Sequence, residues 1–218
     1  MDLTLALISL IILIFSAVFH EVSHGFVAER LGDPTARLAG RLTLDPRKHI
    51  DPFMSILLPL VLILSGSPVV FGAAKPVPVD PYNLKEGRKD LALVSLAGPL
   101  TNLLIAIIAA FIIKGVNLLV LNPAFTVGSE IIPVMFVLHL IVRLNLLLAI
   151  FNLIPIPPLD GSKIVAMFLP DKEAAMYLSL SSIGIFVIFF LLVFPIGGFS
   201  LGEIIFNLLS LAENLLGV

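Results

Sequence analysis

The chain has 218 residues, of which 59% are hydrophobic and 13% are charged, and its mean hydropathy is +1.13. An average soluble domain has about 45–50% apolar and about 25% charged residues, so this composition excludes an ordinary soluble globular protein. A formal charge of −2 gives no basic surface for nucleic acid, and the lack of cysteine excludes a disulfide-stapled domain. We therefore expect an integral membrane protein, with residues 1–218 forming a single membrane-embedded domain.

The first predicted membrane helix is the uncharged run 3–19 with its continuation through residue 26. At about 1.5 Å rise per residue, this run crosses a hydrocarbon core of about 30 Å. Because it leads directly into a histidine and a glutamate, we expect a retained helix rather than a cleaved signal peptide. The later uncharged stretches are 52–74, 91–113, 144–159 and 174–202, with 131–142 leading into the third of them.

The stretch 52–74 is predicted to be re-entrant, because Pro59, Gly66 and Pro68 interrupt it and basic residues flank both of its ends. Positive charge in short loops marks the cytoplasmic side. The last apolar segment, 201–216, either spans the membrane or lies along its interface. The fold class is thus an all-α polytopic helical bundle of about five or six membrane segments, with the amino terminus outside.

A His-Glu-x-x-His motif lies in the first predicted helix, at residues 20–24. Positions i and i+4 share a helix face, so His20 and His24 can offer nitrogens to one metal ion, with Glu21 beside them to activate water. This pattern is typical of a zinc hydrolase. The alternative is a solvated helix face, but ionisable groups within a span cost about 2.5–3.5 kcal/mol each, which favours a functional role.

A catalytic zinc site needs a third protein ligand and an open position for water. Asp160 is the best candidate, because three prolines within 155–158 prevent a regular helix and would hold its carboxylate on a stiff segment. The predicted topology also returns it to the depth of His20. The alternative is an interfacial turn in which Asp160 caps a short helix over 162–169. Beside His20 and His24, the ligand interpretation is favoured.

At this point the chain resembles the site-2 proteases, which are intramembrane zinc metallopeptidases. The motifs that carry the resemblance run in the family's order from residue 19 to residue 161. They are Phe-His-Glu-Val-Ser-His-Gly at 19–25, Gly-Arg-Leu-Thr-Leu-Asp-Pro at 40–46 with His-Ile-Asp-Pro at 49–52, Phe-Gly-Ala-Ala-Lys-Pro-Val-Pro-Val at 71–79, Ala-Gly-Pro-Leu-Thr-Asn at 97–102, and Phe-Asn-Leu-Ile-Pro-Ile-Pro-Pro-Leu-Asp-Gly at 151–161. The chain is similar to the short bacterial and archaeal branch that lacks PDZ and CBS modules.

The resemblance implies a site built from a few residues of these motifs. It implies one Zn²⁺ held by His20, His24 and Asp160, and water activated by Glu21. It also implies that the Asn152 amide steadies the oxyanion, a kind of contact that contributes about 10²–10³ in rate. For Asn152 the alternative is a helix–helix hydrogen bond or a cap.

A second asparagine is interpreted differently. Asn102 lies in a Gly-Pro-x-x-Asn setting that permits close helix packing through small residues, and we do not assign it a catalytic role. Arg143 lies deep in an apolar segment, where a charge is costly, and is expected to face an aqueous cavity or a carboxylate such as Glu130.

A protease that cuts membrane helices must hold its substrate extended, because a helix hides its carbonyls in internal hydrogen bonds. Residues 38–45 end in a period-2 pattern, and residues 75–79 alternate proline with other residues. The resemblance therefore suggests a small membrane-associated β element that receives substrate by strand addition. An ordinary cytoplasmic loop is the alternative.

The leading hypothesis is an intramembrane zinc metalloendopeptidase that hydrolyses peptide bonds in or near transmembrane segments, as in regulated intramembrane proteolysis. Its partners would be transmembrane proteins or peptides in the lipid bilayer, with no nucleic acid and the oligomeric state left open. We expect a prokaryotic cell membrane and an active site toward the cytoplasmic side. The alternatives are a membrane metal transporter, although no internal repeat is found, or a non-catalytic protein that binds membrane helices.

Overall fold

The computed structural model describes residues 3–57, 61, 74–120, 128, 131–198 and 200–218. The α-helices of this part are α1 (Leu3–Arg30), α2 (Thr35–Leu38), α3 (Arg88–Val120), α4 (Ile131–Asn152), α5 (Asp160–Ala166), α6 (Asp171–Ser179), α7 (Ser181–Val193) and α8 (Leu201–Leu216). Short 3₁₀ turns lie at Pro46–Lys48 and Pro81–Asn83, and a π-helical turn lies at Pro52–Leu57.

Three helices are long and apolar enough to cross a membrane: α1, α3 and α4. The pair α6–α7, bent by 62°, would be a fourth if it forms one broken span. The chain is therefore an all-helical integral membrane protein in its described part, as the composition predicted. The expected count of five or six segments is not confirmed. Most of the predicted re-entrant stretch 52–74 lies outside the described residues.

Helix α3 is the centre of the bundle, and it packs against α1, α4 and α5. Small residues on its buried side allow this, because helices without large side chains at a contact approach each other closely. Further along α3, this helix packs with α4 and α8 around one apolar cluster. Its buried members are Ala106, Ala109, Ala110, Ile113, Val142, Leu146 and Leu209.

The expected β element is not confirmed, because the described parts of residues 38–45 and 75–79 contain no strand. Residues 75–79 have no regular secondary structure, and several of their backbone groups are bonded to partners outside any strand. Arg41 donates to the carbonyl of Lys75 at 2.8 Å, and Val77 donates its N–H to a side chain of α1. The prolines in this segment have no N–H to donate, so little of its backbone is left for a ladder.

The segment between α4 and α5 is fixed by the helices that pack on it. A Cβ atom at Gly184 of α7 would collide with the carbonyl of Pro157, so α7 lies directly on this proline-rich segment. Apolar side chains of α7 and α8, among them Ile188 and Ile205, cover its other side chains. This packing fixes the position at which α5 begins, at Asp160 rather than at the predicted residue 162.

Arg143, near the middle of α4, pairs with a carboxylate of α8. Its Nη1 atom lies 3.1 Å from Oε1 of Glu213. The partner is therefore Glu213, and Glu130, which the sequence analysis suggested, lies outside the described residues. The pair holds α8 against α4 across an otherwise apolar contact.

Candidate metal centre

Two imidazoles and one carboxylate meet where α1, α3 and α5 come together. Oδ2 of Asp160 lies 3.1 Å from Nε2 of His20 and 3.1 Å from Nε2 of His24. The three residues are 5–7% exposed, and their ligand atoms all lie within 4.8 Å of one another. Ligands about 2.0–2.2 Å from a tetrahedral zinc ion lie about 3.3 Å apart, so this group could hold one metal ion.

The backbone of α3 leaves room for that ion at Gly98. A Cβ atom there would lie 2.6 Å from Nε2 of His24 and closer still to Nε2 of His20. No side chain can therefore occupy this position without entering the space between the ligand atoms. The donor set and the bare backbone opposite it both fit a small divalent cation, and two imidazoles with one carboxylate suit zinc.

Each imidazole is held by a hydrogen bond at Nδ1, the ring nitrogen that faces away from Asp160. Nδ1 of His20 lies 2.6 Å from Oδ1 of Asn102, and Nδ1 of His24 lies 2.7 Å from the carbonyl oxygen of Val94. Both acceptors belong to α3. A ligating histidine whose second nitrogen is bound in this way has a fixed ring orientation and presents its other nitrogen to a metal.

The carboxylate of Asp160 is shared between two neighbours. Its Oδ2 atom faces the two imidazoles, and its Oδ1 atom accepts a hydrogen bond from Lys163 at 3.0 Å. Asp160 is the first residue of α5, and Leu159 holds the cap position, so the capping alternative is not what the structure shows.

Glu21 is half-buried beside this group and is held by the segment 74–79. Its Oε2 atom accepts a hydrogen bond from the backbone N–H of Val77 at 2.8 Å. The segment is itself fixed, because Arg41 donates to the carbonyls of Lys75 and Pro76. One carboxylate oxygen of Glu21 is thus anchored by backbone rather than left on a free side chain.

Asn152, the last residue of α4, is not brought into contact with the three-residue group by any described hydrogen bond. Its Nδ2 atom donates to the carbonyl of Leu148 at 3.0 Å, within its own helix. The expected oxyanion role of Asn152 therefore stays a prediction.

The sequence analysis missed Asn102, which it interpreted as a packing residue. The structure buries it completely and bonds it to His20 and to Asn145 of α4. A signal was present, because a polar amide inside an apolar span is costly unless it is paired. The signal did not identify the partner, which lies 82 residues away in the chain.

The metal-binding group lies well inside the bundle rather than at its end. His20 precedes Arg30, the last residue of α1, by ten residues. Gly98 follows Arg88, the first residue of α3, by the same number. At about 1.5 Å per residue, both positions are about 15 Å from the charged ends of their helices.

The sequence was compared with protein families and with known proteins, and the matches are peptidases and proteins named as metalloproteases. The family model described as peptidase family M50 matches residues 8–132 and 124–195. A Bacillus subtilis protein named as a candidate zinc metalloprotease, YwhC, is 38% identical over 88% of this chain and 82% of its own length. A similarly named Mycobacterium tuberculosis protein, Rip2, is 33% identical over 74% of this chain but only 57% of its own length. No solved structure matches the chain.

Proposed function

This chain belongs to peptidase family M50, the site-2 protease family, and we propose that it is an intramembrane zinc endopeptidase that cuts transmembrane or membrane-proximal segments. The family and the names of its relatives support the coarser statement that it is a zinc metalloprotease. The finer statement, that the scissile bond lies within the bilayer, is supported by the depth of the metal-binding group.

The single observation that carries the proposal is the position of this group. His20 lies about 15 Å from the charged end of α1, a helix long enough to cross a hydrocarbon core of about 30 Å, and it is buried together with His24 and Asp160. Three ionisable side chains at this depth are expensive unless they hold an ion or line a polar site. A peptide bond must therefore be brought below the membrane surface to reach them.

The protein's own residues can perform the remaining chemistry. His20, His24 and Asp160 would hold the zinc ion, which would supply a Lewis acid near neutral pH. Glu21, adjacent to His20 and anchored by Val77, would accept the proton from the attacking water and return it to the leaving amine. Lys163 bonds to Oδ1 of Asp160, so Oδ2 is the oxygen that faces the imidazoles and would hold the ion.

Asn152 is proposed as the donor to the developing oxyanion. Its amide would have to turn away from the carbonyl of Leu148, to which it is bonded in this structure. One such donor contributes about 10²–10³ in rate. The turn would be driven by the negative charge on the substrate oxygen, which is a stronger acceptor than a backbone carbonyl.

The membrane orientation follows from the charges at the end of the bundle nearest the metal-binding group. Basic residues cluster there, which supports a cytoplasmic position for this end in a prokaryotic cell membrane. They are Arg30, Arg37, Arg41, Arg47, Lys48, Lys75, Lys85, Arg88 and Lys89. The substrates would be membrane-spanning proteins or peptides whose helix opens near this end, since only an unwound segment exposes its carbonyls.

The proposal is tested by Glu21→Gln in the full chain. We expect this variant to bind zinc as the unchanged protein does and to lose cleavage of membrane-spanning model peptides by about 10²–10⁴-fold, because only the general base is removed. Glu29→Gln is the matched control, since Glu29 lies on the same helix and pairs with Arg37 outside the site. Cleavage would be followed by mass spectrometry in reconstituted vesicles, with zinc content measured on the same samples.

Two results would contradict the proposal. One is a Glu21→Gln variant that cleaves at the rate of the Glu29→Gln control. The other is that the unchanged protein carries one zinc ion per chain and yet cuts none of the membrane-spanning model peptides. If all cleavage sites lie outside the membrane-spanning part of the peptides, the intramembrane location is rejected, but the assignment as a zinc protease is not.

A further inference from the structure

We propose that Asn102, Asn145 and Ser16 form a buried hydrogen-bond relay that fixes Nδ1 of His20 as a hydrogen-bond donor and so presents its Nε2 atom to the metal. These are positioning residues, because none of them reaches the ligand atoms of the metal-binding group. The proposal rests on the proposed function only in assigning His20 as a metal ligand.

The relay connects α1, α3 and α4 through side chains that are almost fully buried. Asn102 and Asn145 are 0% exposed and Ser16 is 4% exposed. Nδ2 of Asn102 donates to Oδ1 of Asn145 at 2.9 Å and to the carbonyl of Ser16 at 3.3 Å. Nδ2 of Asn145 donates to Oγ of Ser16 at 3.0 Å and to the carbonyl of Ile141 at 2.9 Å.

Two backbone carbonyls fix the direction of every bond in this relay. A carbonyl oxygen only accepts, so the atom of Asn145 that faces the Ile141 carbonyl must be the amide nitrogen. The atom of Asn102 that faces the Ser16 carbonyl must be its nitrogen for the same reason. Oδ1 of Asn145 then faces Asn102, and Oδ1 of Asn102 is left facing His20.

This direction determines the proton position on the imidazole. Oδ1 of Asn102 can only accept, so Nδ1 of His20, which lies 2.6 Å away, must carry the hydrogen. With Nδ1 fixed as a donor, only Nε2 can offer a lone pair to a metal. Nε2 of His20, which lies 3.1 Å from Oδ2 of Asp160, is therefore the nitrogen that faces the site.

The two ligating histidines differ in what enforces this state. His24 is held by the backbone carbonyl of Val94, which no substitution of a side chain removes. His20 depends on the side chain of Asn102, whose orientation is fixed by Oδ1 of Asn145 and by the backbone carbonyl of Ser16. The orientation of one ligand is thus set by contacts among three helices.

A purely structural role makes a different prediction. Hydrogen bonds between helices within a membrane stabilise the bundle whichever nitrogen of the histidine carries the hydrogen. Loss of such bonds would lower stability and leave metal affinity unchanged once the protein is folded. Loss of the relay would lower metal affinity and expose the Nδ1–H of His20 to exchange with water.

The test compares Asn102→Leu and Asn102→Ala with Ser95→Ala in the full chain. Ser95 lies on the same helix as Asn102, is 1% exposed, and its hydroxyl has no hydrogen-bond partner among the described residues. Zinc affinity would be measured by chelator competition in detergent. Removal of a group that orients a metal ligand typically costs 10–100-fold, so we expect about that loss for both variants at Asn102.

The second readout is hydrogen exchange at Nδ1 of His20 in the zinc-loaded protein. The chain has four histidines, and nitrogen-15 NMR of labelled imidazoles follows the exchange of each ring N–H with water. The Nδ1–H of His20 should exchange slowly in the unchanged protein and in Ser95→Ala. In Asn102→Leu it should exchange faster, because no acceptor remains at Nδ1.

The proposal is overturned if Asn102→Leu binds zinc as tightly as Ser95→Ala, or if the Nδ1–H of His20 exchanges as slowly in it as in Ser95→Ala. Should Asn102→Leu fail to fold, Asn102→Ala decides the matter, and unaltered zinc affinity in that variant overturns the relay. Neither measurement uses proteolysis. A protein that binds zinc through this relay but cuts no peptide would therefore reject the proposed function alone.

Discussion

Two polar residues lie two positions apart on α4 and are treated in opposite ways. Asn145 points toward α1 and α3, is 0% exposed, and is bonded on both its oxygen and its nitrogen. Arg143 points toward α8, its side chain is 49% exposed, and it is satisfied by an ion pair with Glu213. One side of the helix carries a neutral network, and the other carries a pair of charges.

The difference shows what each kind of contact is suited to. Hydrogen bonds between amides have a direction, so the network around Asn145 can transmit the orientation of a proton to His20. In the ion pair, Arg143 only donates and Glu213 only accepts, so the pair holds α8 but passes no orientation to a third group. Only the neutral side is therefore suited to preparing a metal ligand.

The largest effect is expected from Gly98→Ala, which tests the side of α3 that faces the metal-binding group. The new Cβ atom would enter the space between the imidazole nitrogens, so zinc affinity should fall by more than about 100-fold, as for the loss of a metal-orienting group or worse. Gly115→Ala is the control on the same helix, because nothing lies within 4 Å of its Cβ position. That variant should keep its zinc and gain up to about 1 kcal/mol of stability. Equal zinc affinity in the two variants would contradict the assigned site.

The next effect is expected from Asn145→Leu, which leaves a donor of Asn102 without its acceptor. A buried group that loses its partner costs about 1–3 kcal/mol, so the unfolding midpoint in a denaturing detergent titration should fall accordingly. Zinc affinity should also fall, but less than in Asn102→Leu, because Asn102 keeps its bond to the carbonyl of Ser16. A larger loss of zinc affinity in Asn145→Leu than in Asn102→Leu would contradict the proposal that Asn145 acts on His20 through Asn102.

A smaller effect is expected on the charged side. Arg143→Met or Glu213→Gln alone should lower stability by about 1–2 kcal/mol, because each leaves one charge unpaired against an apolar surface. The double variant should recover most of that loss, and zinc affinity should stay unchanged in all three. A double variant less stable than either single variant would show that the pair is not the reason for the residues' presence.

The smallest effect is expected at Asp33, a charge held by a directed network outside the spans. It is 0% exposed and accepts hydrogen bonds from Thr35, Asn83 and the backbone of Asp80. Burial raises the pKa of Asp33, but these hydrogen bonds outweigh burial and lower the pKa. Asp33→Asn should therefore cost about 1 kcal/mol near neutral pH.

The pH dependence at Asp33 has a definite sign. Its folded-state pKa is below the unfolded value of about 3.9, so the carboxylate stabilises the fold above that pH and the contribution is lost as the pH falls through the folded-state pKa. The free energy of unfolding, measured between neutral and acidic pH, should therefore fall less steeply with acid in Asp33→Asn than in the unchanged protein. Since Asp33 is buried, a high salt concentration should not imitate the substitution. If the unfolding free energy of Asp33→Asn falls with acid as steeply as that of the unchanged protein, another group is responsible for the pH dependence.

Much of the candidate site was predictable because it is local in the chain. The spacing of His20 and His24 places both on one face of any α-helix, and Glu21 comes with them. Asp160 was identifiable because prolines interrupt the apolar run before it. Asn102 was misjudged because its neighbours in sequence indicate close packing, and nothing near it indicates an imidazole as its partner.

The span count shows the opposite limit. Apolar stretches were recognised correctly, but hydropathy alone does not distinguish a membrane-crossing helix from α8, a 16-residue helix packed on the bundle. The predicted β element followed from an alternating pattern in residues 75–79. The structure instead gives the N–H of Val77 to Glu21, a partner that alternation cannot reveal.

The sequence by itself determined the membrane class, the long helices and the metal-ligand pattern, because helical periodicity and the cost of polar groups in lipid act over a few residues. Tertiary structure decided which distant groups meet: Asp160 with His20 across 140 positions, and Asn102 with the same imidazole across 82. Those meetings depend on how small residues let three helices approach. The direction of the hydrogen bonds behind His20 exists only after that approach has been made.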